Sequence, residues 1–173
     1  MVHITHDIDW LTPTHPLAWM KVVTHGNKWL RFSQLRNRSI FLEGIQQLLN
    51  VNNTYQTNSV WLIGASTQHT FHRKGLRYQA NDRHHQQAVA LLKEAGVTIG
   101  LHSVSTEPLL NQANRLSALL DKPILHHRSH FLQFNPNTLY AELQQAGIPT
   151  DYSVGSAREI QLPEVSTPIH GVN

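Results

Sequence analysis

The chain has 173 residues, of which 40% are hydrophobic and 14% charged, so it suits one globular domain spanning 1–173 and is not a disordered chain. The net charge of +3 is not gathered into a basic run, which argues against nucleic acid as a partner. There is no cysteine, which excludes disulfides and thiolate ligands, so any metal must be held by aspartate, glutamate or the 13 histidines.

The first predicted element is a strand near 2–9 that ends in two carboxylates, Asp7 and Asp9. Aspartate is rare in strands, so the pair indicates either solvated loop carboxylates or a strand end with a chemical role. The irregular stretch 11–38 follows. Loops of this length are usually functional or poorly ordered, and its aromatic residues suit either a sugar-binding cleft or ordinary packing.

From residue 39 onward, helix and strand patterns alternate. Helices are predicted where apolar residues recur at helical spacing between capping and stop signals. Strands are predicted at the short apolar runs between them, which suit a sheet buried on both faces. The polar segment 68–83 is predicted to be a surface loop, and His84 and His85 to lie on a solvated helix face. The predicted helices are 39–50, 84–95, 107–120 and 135–146, and the remaining strands lie near 59–65, 97–102, 124–130 and 150–154.

This alternation predicts an α/β fold with a parallel sheet and right-handed crossovers. In such folds, functional sites form where the strands end. Asp7 and Asp9 end the first predicted strand, His102 ends the third, and Arg128 and His130 end the fourth. We therefore expect side chains that are far apart in sequence to meet at one rim of the sheet.

Asp9, His102 and His130 would form a ligand set with open coordination positions, which favours zinc or another borderline divalent ion. Such an ion would lower the pKa of a bound water toward neutrality, and Asp7 could take its proton during attack on a carbonyl. Arg128 could orient Asp7 through a charge-assisted hydrogen bond. The alternatives are a purely structural ion pair for Arg128 and, for the two histidines, polar core residues bonded to the backbone.

Four stretches, in order along the chain, resemble motifs of the polysaccharide deacetylase superfamily, and in particular of the branch whose members begin with Thr-His-Asp-Val-Asp. The resemblance covers nearly the whole chain. The stretches are 5–9 (Thr-His-Asp-Ile-Asp), 99–103 (Ile-Gly-Leu-His-Ser), 128–134 (Arg-Ser-His-Phe-Leu-Gln-Phe) and 146–153 (Ala-Gly-Ile-Pro-Thr-Asp-Tyr-Ser).

The resemblance implies a distorted (β/α) barrel, typically of seven strands, that uses a metal to remove N- or O-acetyl groups from carbohydrates. It implies that Asp7 is the base, that Asp9 and His102 are metal ligands, and that Arg128 is the partner of the base. Most members have a second histidine four residues after the first, where this chain has Thr106. The third ligand must therefore come from elsewhere, and His130 is the candidate because of its position at the end of the fourth predicted strand.

The expected substrate is a carbohydrate, with Trp10, Ser103 and Phe131 as candidate contacts. The family normally continues through further strands beyond the fifth, so we expect an incomplete barrel of about five parallel strands with covering helices. Exposed strand edges favour pairing, so such a barrel should associate with itself or with a missing C-terminal segment. The alternative function is a catalytically weak or inactive sugar-binding or scaffold domain of the same fold.

No run approaches the roughly 20 apolar residues that a membrane-spanning helix needs. The N-terminus also lacks the basic and then apolar pattern of a secretory leader. We therefore expect no transmembrane segment, and either a cytoplasmic protein or one whose export signal is not part of this chain.

Overall fold

The computed structural model describes residues 4–9, 11, 40–68, 76, 78–132 and 134–153, with five strands and four α-helices alternating along them. A short 3-10 turn, His130–Leu132, follows the fourth strand. Trp10 and nearly all of the stretch 11–38 lie outside the described residues. The elements are β1 (Ile4–Ile8), α1 (Ile40–Thr54), β2 (Ser59–Ile63), α2 (Arg83–Glu94), β3 (Thr98–Ser103), α3 (Leu109–Leu120), β4 (His126–Ser129), α4 (Pro136–Gln145) and β5 (Thr150–Asp151).

The five strands form one sheet in the order β1-β2-β3-β4-β5, and every neighbouring pair is parallel. The prediction of an α/β fold with about five parallel strands and helices is confirmed. Closure of the sheet into a barrel, and association of copies through its outer strands, stay predictions. None of the described helices is long and apolar enough to cross a membrane.

The strand register separates the two faces of the sheet. Ile8, Ile63 and Leu101 are partners in one row, and all three belong to the core cluster that also contains side chains of the helices. This row therefore lies on the helix-covered face. Because strand side chains alternate between faces, Asp7 and His102 lie on the opposite face.

The helices cover the sheet because each presents an apolar stripe. In α3 the stripe is formed by Leu109, Ala113, Leu116 and Leu120, which recur at helical spacing and are all buried. The predicted cap of α4 is also present, since the Asn135 side chain accepts a hydrogen bond from the Asn137 backbone N–H. Local signals therefore place these helices where the sequence predicts them.

Two surface predictions are wrong for part of the residues they cover, while His84, Gln68 and Asn81 are at least partly exposed. His85 is fully buried, and its Nε2 donates a hydrogen bond of 2.7 Å to the backbone oxygen of Gly64. In the polar segment predicted to be a surface loop, Leu76, Tyr78 and Ala80 are buried in the core. Both corrections have the same cause, because Leu76, Tyr78 and Ala80 and the first turn of α2 pack beside the ends of β1 and β2.

Candidate metal centre

Three predicted ligands meet at the end of the sheet. Asp9 follows directly after β1, His102 is the penultimate residue of β3, and His130 follows directly after β4. Parallel strands end at the same edge, so the topology brings these residues together. Each offers one ligand atom, and the three atoms lie within 4.8 Å of one another. This group could hold a metal ion.

The separations between these atoms suit a small cation. Asp9 Oδ1 lies 3.1 Å from His102 Nε2 and 3.2 Å from His130 Nδ1, and the two nitrogens lie 2.9 Å apart. A tetrahedral zinc ion with ligands at about 2.0–2.1 Å holds neighbouring ligand atoms roughly 3.3 Å apart. The group therefore needs little rearrangement to take up such an ion.

A backbone contact selects the nitrogen with which His102 can bind. His102 Nδ1 lies 3.1 Å from the backbone oxygen of Arg128. A carbonyl can only accept, so Nδ1 carries the hydrogen and the lone pair of Nε2 is left for a metal ion or for a hydrogen from His130. With no metal bound, His130 Nδ1 donates to that lone pair. A metal ion bound to His130 Nδ1 would take the place of the hydrogen on that atom, so metal binding would release a proton.

The surroundings of Asp9 favour its ionised form. Burial alone would raise the pKa of Asp9, but its close contacts with the imidazoles of His102 and His130 hold its pKa well below the usual range. The Oδ1 atom is buried, and besides its ion-pair distances to the two imidazoles it has no hydrogen-bond partner among the described residues. A buried carboxylate oxygen of this kind lacks a partner, which is the position that a cation would fill.

The predicted base and its partner also meet. Arg128 Nη1 donates to both carboxylate oxygens of Asp7, at 2.9 and 3.0 Å. Arg128 Nε donates to the backbone oxygen of Tyr152 at 3.1 Å, so the guanidinium is fixed from two sides. The ion pair is present, while a catalytic role for Asp7 and Arg128 stays a prediction.

The three candidate substrate contacts have different positions. Phe131 is 56% exposed, and its ring centroid lies 4.1 Å from that of His130. Ser103 is buried on the helix-covered face, and its hydroxyl bonds to His127, so it points away from the metal group. Trp10 lies outside the described residues, and its contact with substrate stays a prediction.

The sequence analysis missed Tyr78. Its hydroxyl donates to the backbone oxygen of Ile8 at 2.6 Å and accepts from the backbone N–H of Gly64 at 2.7 Å. Burial raises the pKa of Tyr78 far above its usual value, so the hydroxyl stays protonated. Tyr78 thus joins the ends of β1 and β2 beside Asp9. The signal that could have found it is the apolar alternation at Leu76, Tyr78 and Ala80 within a polar segment.

Comparison with known proteins gives no identification. No protein-family model matches the chain, and no curated protein matches it at a significant level. The similarity to polysaccharide deacetylases is therefore a resemblance in short motifs, and the function has to be argued from the site.

Proposed function

We propose that the chain is a metal-dependent hydrolase that removes acetyl groups from a carbohydrate, built on an incomplete (β/α) barrel of the polysaccharide deacetylase type. The observation that carries the proposal is the grouping of Asp9, His102 and His130 within 4.8 Å at the end of the sheet. Beside it lies a second carboxylate, that of Asp7, which is held by Arg128. One group can bind a Lewis acid, and the other can accept a proton.

Zinc is the metal we propose. One carboxylate and two imidazoles, without a thiolate, are typical ligands of a catalytic zinc ion that keeps a position for water. When bound, the ion would polarise the acetyl carbonyl and lower the pKa of that water. His102 suits this role because its Nδ1 is already engaged by a carbonyl, which fixes the ring and leaves Nε2 for the metal.

Asp7 has the position of the general base. It lies in β1, two residues before Asp9, which directly follows the strand, so in extended backbone both carboxylates project to the same side of the sheet. In the proposed reaction Asp7 accepts a proton from the attacking water, and acetate leaves as the sugar regains its amine or hydroxyl group. Arg128 keeps the Asp7 carboxylate oriented throughout, because it binds both oxygens.

Phe131 is the described residue best placed to contact a sugar. Its exposed ring lies against His130, and apolar ring faces suit the C–H surfaces of pyranoses. Phe131 and Leu132 both have left-handed backbone conformations, with φ of 54° and 53°. Non-glycine residues with positive φ are strained and cluster at functional sites, which supports a binding role for this turn.

The test is acetate release by the zinc-loaded protein from acetylated chito-oligosaccharides and acetylated xylan. We expect turnover on one of them, and Asp7→Asn should lower it by about 10²–10⁴-fold while zinc content is unchanged, because only the proton acceptor is lost. Asp121→Asn changes an exposed carboxylate that pairs with Lys93 and serves as the matched control.

Two results would contradict the proposal. One is full activity of Asp7→Asn, which would remove the base from the mechanism. The other is binding of the sugars by the zinc-loaded protein without any acetate release, which would favour the alternative of a sugar-binding domain.

A further inference from the structure

A second cluster of reactive side chains lies on the other face of the sheet. Ser103 Oγ is 2.7 Å from His127 Nε2, and His127 Nδ1 is 2.8 Å from Asp151 Oδ1. The three residues stand on the adjacent strands β3, β4 and β5. This is the sequence of hydrogen bonds found in Ser-His-Asp triads, which are recognised by geometry rather than by order along the chain.

The hydrogen-bond polarity is that of an activated serine. Asp151 can only accept when ionised, so His127 Nδ1 carries the hydrogen and donates it. His127 Nε2 then presents its lone pair, and the Ser103 hydroxyl donates to it. His127 is therefore in the tautomer that a general base for Ser103 requires.

The carboxylate of this cluster is held in place by neighbouring groups. Asp151 Oδ1 accepts from the Ser153 hydroxyl at 2.6 Å and from the Ser153 backbone N–H at 3.1 Å. Ser153 Oγ in turn accepts from the backbone N–H of Ser129 at 2.7 Å. His127 is fully buried, and only 5% of the Asp151 side chain is exposed, so the orientation of the imidazole is fixed.

The cluster borders a cavity of suitable size. Ser103 and Ser129 line a cavity of about 510 Å³ between the ends of β3 and β4 and the helices α3 and α4. This volume is in the range of small-molecule sites. Its lining combines apolar side chains such as Leu109, Phe134 and Leu139 with polar ones that include Thr106 and the carboxylates of Glu107 and Glu142.

We propose that Ser103, His127 and Asp151 form a nucleophilic site, separate from the metal centre, that hydrolyses small esters with an apolar acyl group. Ser103 Oγ bonds to the ester carbonyl carbon as its proton passes to His127 Nε2. The bond to the leaving alcohol breaks, and His127 returns the proton to that alcohol. A water then releases the acid from Ser103 by the same route in reverse, while the hydrogen bond to Asp151 keeps the imidazole of His127 in place.

The two sites are separable because neighbouring strand residues face opposite sides. His102 presents its imidazole to Asp9 and His130, whereas Ser103 faces His127 and the cavity. Removal of the metal should therefore leave the serine site intact, and loss of Ser103 should leave the proposed deacetylase reaction in place.

The experiment uses the whole chain, stripped of metal with a chelator, and the probe diisopropyl fluorophosphate. We expect one diisopropylphosphoryl adduct per chain, formed with loss of fluoride and mapped to Ser103 by peptide mass spectrometry, and hydrolysis of 4-nitrophenyl butyrate that the probe abolishes. Ser103→Ala should remove the adduct, and His127→Gln should slow labelling by at least about 100-fold. The matched control is Ser117→Ala, at a half-buried serine of α3 whose hydroxyl donates to the backbone oxygen of Lys122. Asp9→Ala should label like the wild type.

Absence of an adduct on the folded wild-type protein would overturn the proposal, and so would an adduct on another serine or one that forms equally fast in His127→Gln. The cluster would then be only a buried polar crosslink between three strands. The wild-type measurement needs no substitution, so it decides the question even where a variant does not fold.

Discussion

Glu107 is a nearly buried carboxylate whose contacts hold it ionised. Its Oε1 accepts from Arg115 Nη2 at 2.8 Å, and its Oε2 accepts from the Thr67 backbone N–H at 3.1 Å. Burial alone would raise the pKa of Glu107, but these hydrogen bonds, another to Ser66 and the charge of Arg115 hold it below the ordinary value of 4.5. Glu107 thereby fastens the loop after β2 to the start of α3, one wall of the cavity.

This contact predicts a pH-dependent stability. Because the pKa of Glu107 is lower in the folded than in the unfolded chain, its contribution is complete above the unfolded value of 4.5 and is lost as pH falls below it. Glu107→Gln should lower the free energy of unfolding by about 1–3 kcal/mol at neutral pH. In acid, the difference in free energy of unfolding between the variant and the wild type should become smaller. Urea denaturation across this pH range measures it. An equal loss of unfolding free energy at neutral and acid pH would contradict this role of Glu107. The control is Asp121→Asn, at an exposed ion pair, which should change the free energy of unfolding little.

At the scale of single residues, strand-end positions could be predicted from the sequence, whereas contacts between distant residues could not. The carboxylate and histidine positions at strand ends could be predicted, because strand ends are visible as breaks in an apolar run. The burial of His85 could not, because it depends on a carbonyl of Gly64, 21 residues away, that accepts its hydrogen. The contact of Ser103 with His127 was missed for a similar reason, since it depends on the register of β3 against β4.

Among the elements, β3 and β4 approach each other closely at Gly100. A Cβ on Gly100 would lie 2.7 Å from the backbone oxygen and 2.8 Å from the Cβ of His126, and 2.8 Å from a methyl group of Leu62. The two His126 atoms are fixed by the position of β4 and cannot move away independently. Glycine at this position therefore sets the spacing between the strands that carry His102 and Arg128.

Gly100→Ala should lower the free energy of unfolding by about 1–3 kcal/mol through overpacking. The matched control is Gly44→Ala in α1, where a Cβ meets nothing within 4 Å and the same change should stabilise by about 0.5–1 kcal/mol. Urea midpoints of the two variants and wild type give the comparison. A Gly100→Ala variant as stable as wild type would show that the strands can separate at this point.

The helices and strands themselves were largely predictable, whereas their ends were not. Apolar periodicity predicted all four described helices, but α1 continues to Thr54, past the predicted end at residue 50. The asparagine-rich segment looks like a stop signal. Asn52 is instead buried, donates to Ser59 Oγ at 2.8 Å and lies 3.0 Å from His6 Nε2, so tertiary contacts override its low helix propensity.

For the whole molecule, the parallel sheet explains why the candidate metal ligands meet. All five strands run in one direction, so the residues at or just after the ends of β1, β3 and β4 reach one edge. This much follows from the alternation of helices and strands in the sequence. The alternation does not show which residues share a face of the sheet, because a shift of one residue in register would exchange the faces of His102 and Ser103. Hence the metal group could be predicted, and the serine cluster could not.

The most direct test of the central claim is zinc titration by calorimetry of the metal-stripped protein, prepared without a histidine tag. We expect one ion per chain, and at about 100-fold excess over Kd a rise in Tm of roughly 5–10 °C. Asp9→Ala and His102→Gln should abolish both effects, while His84→Gln, outside the group, should retain them. Absence of zinc binding by the wild type, or equal binding by Asp9→Ala, would contradict a metal centre formed by Asp9, His102 and His130.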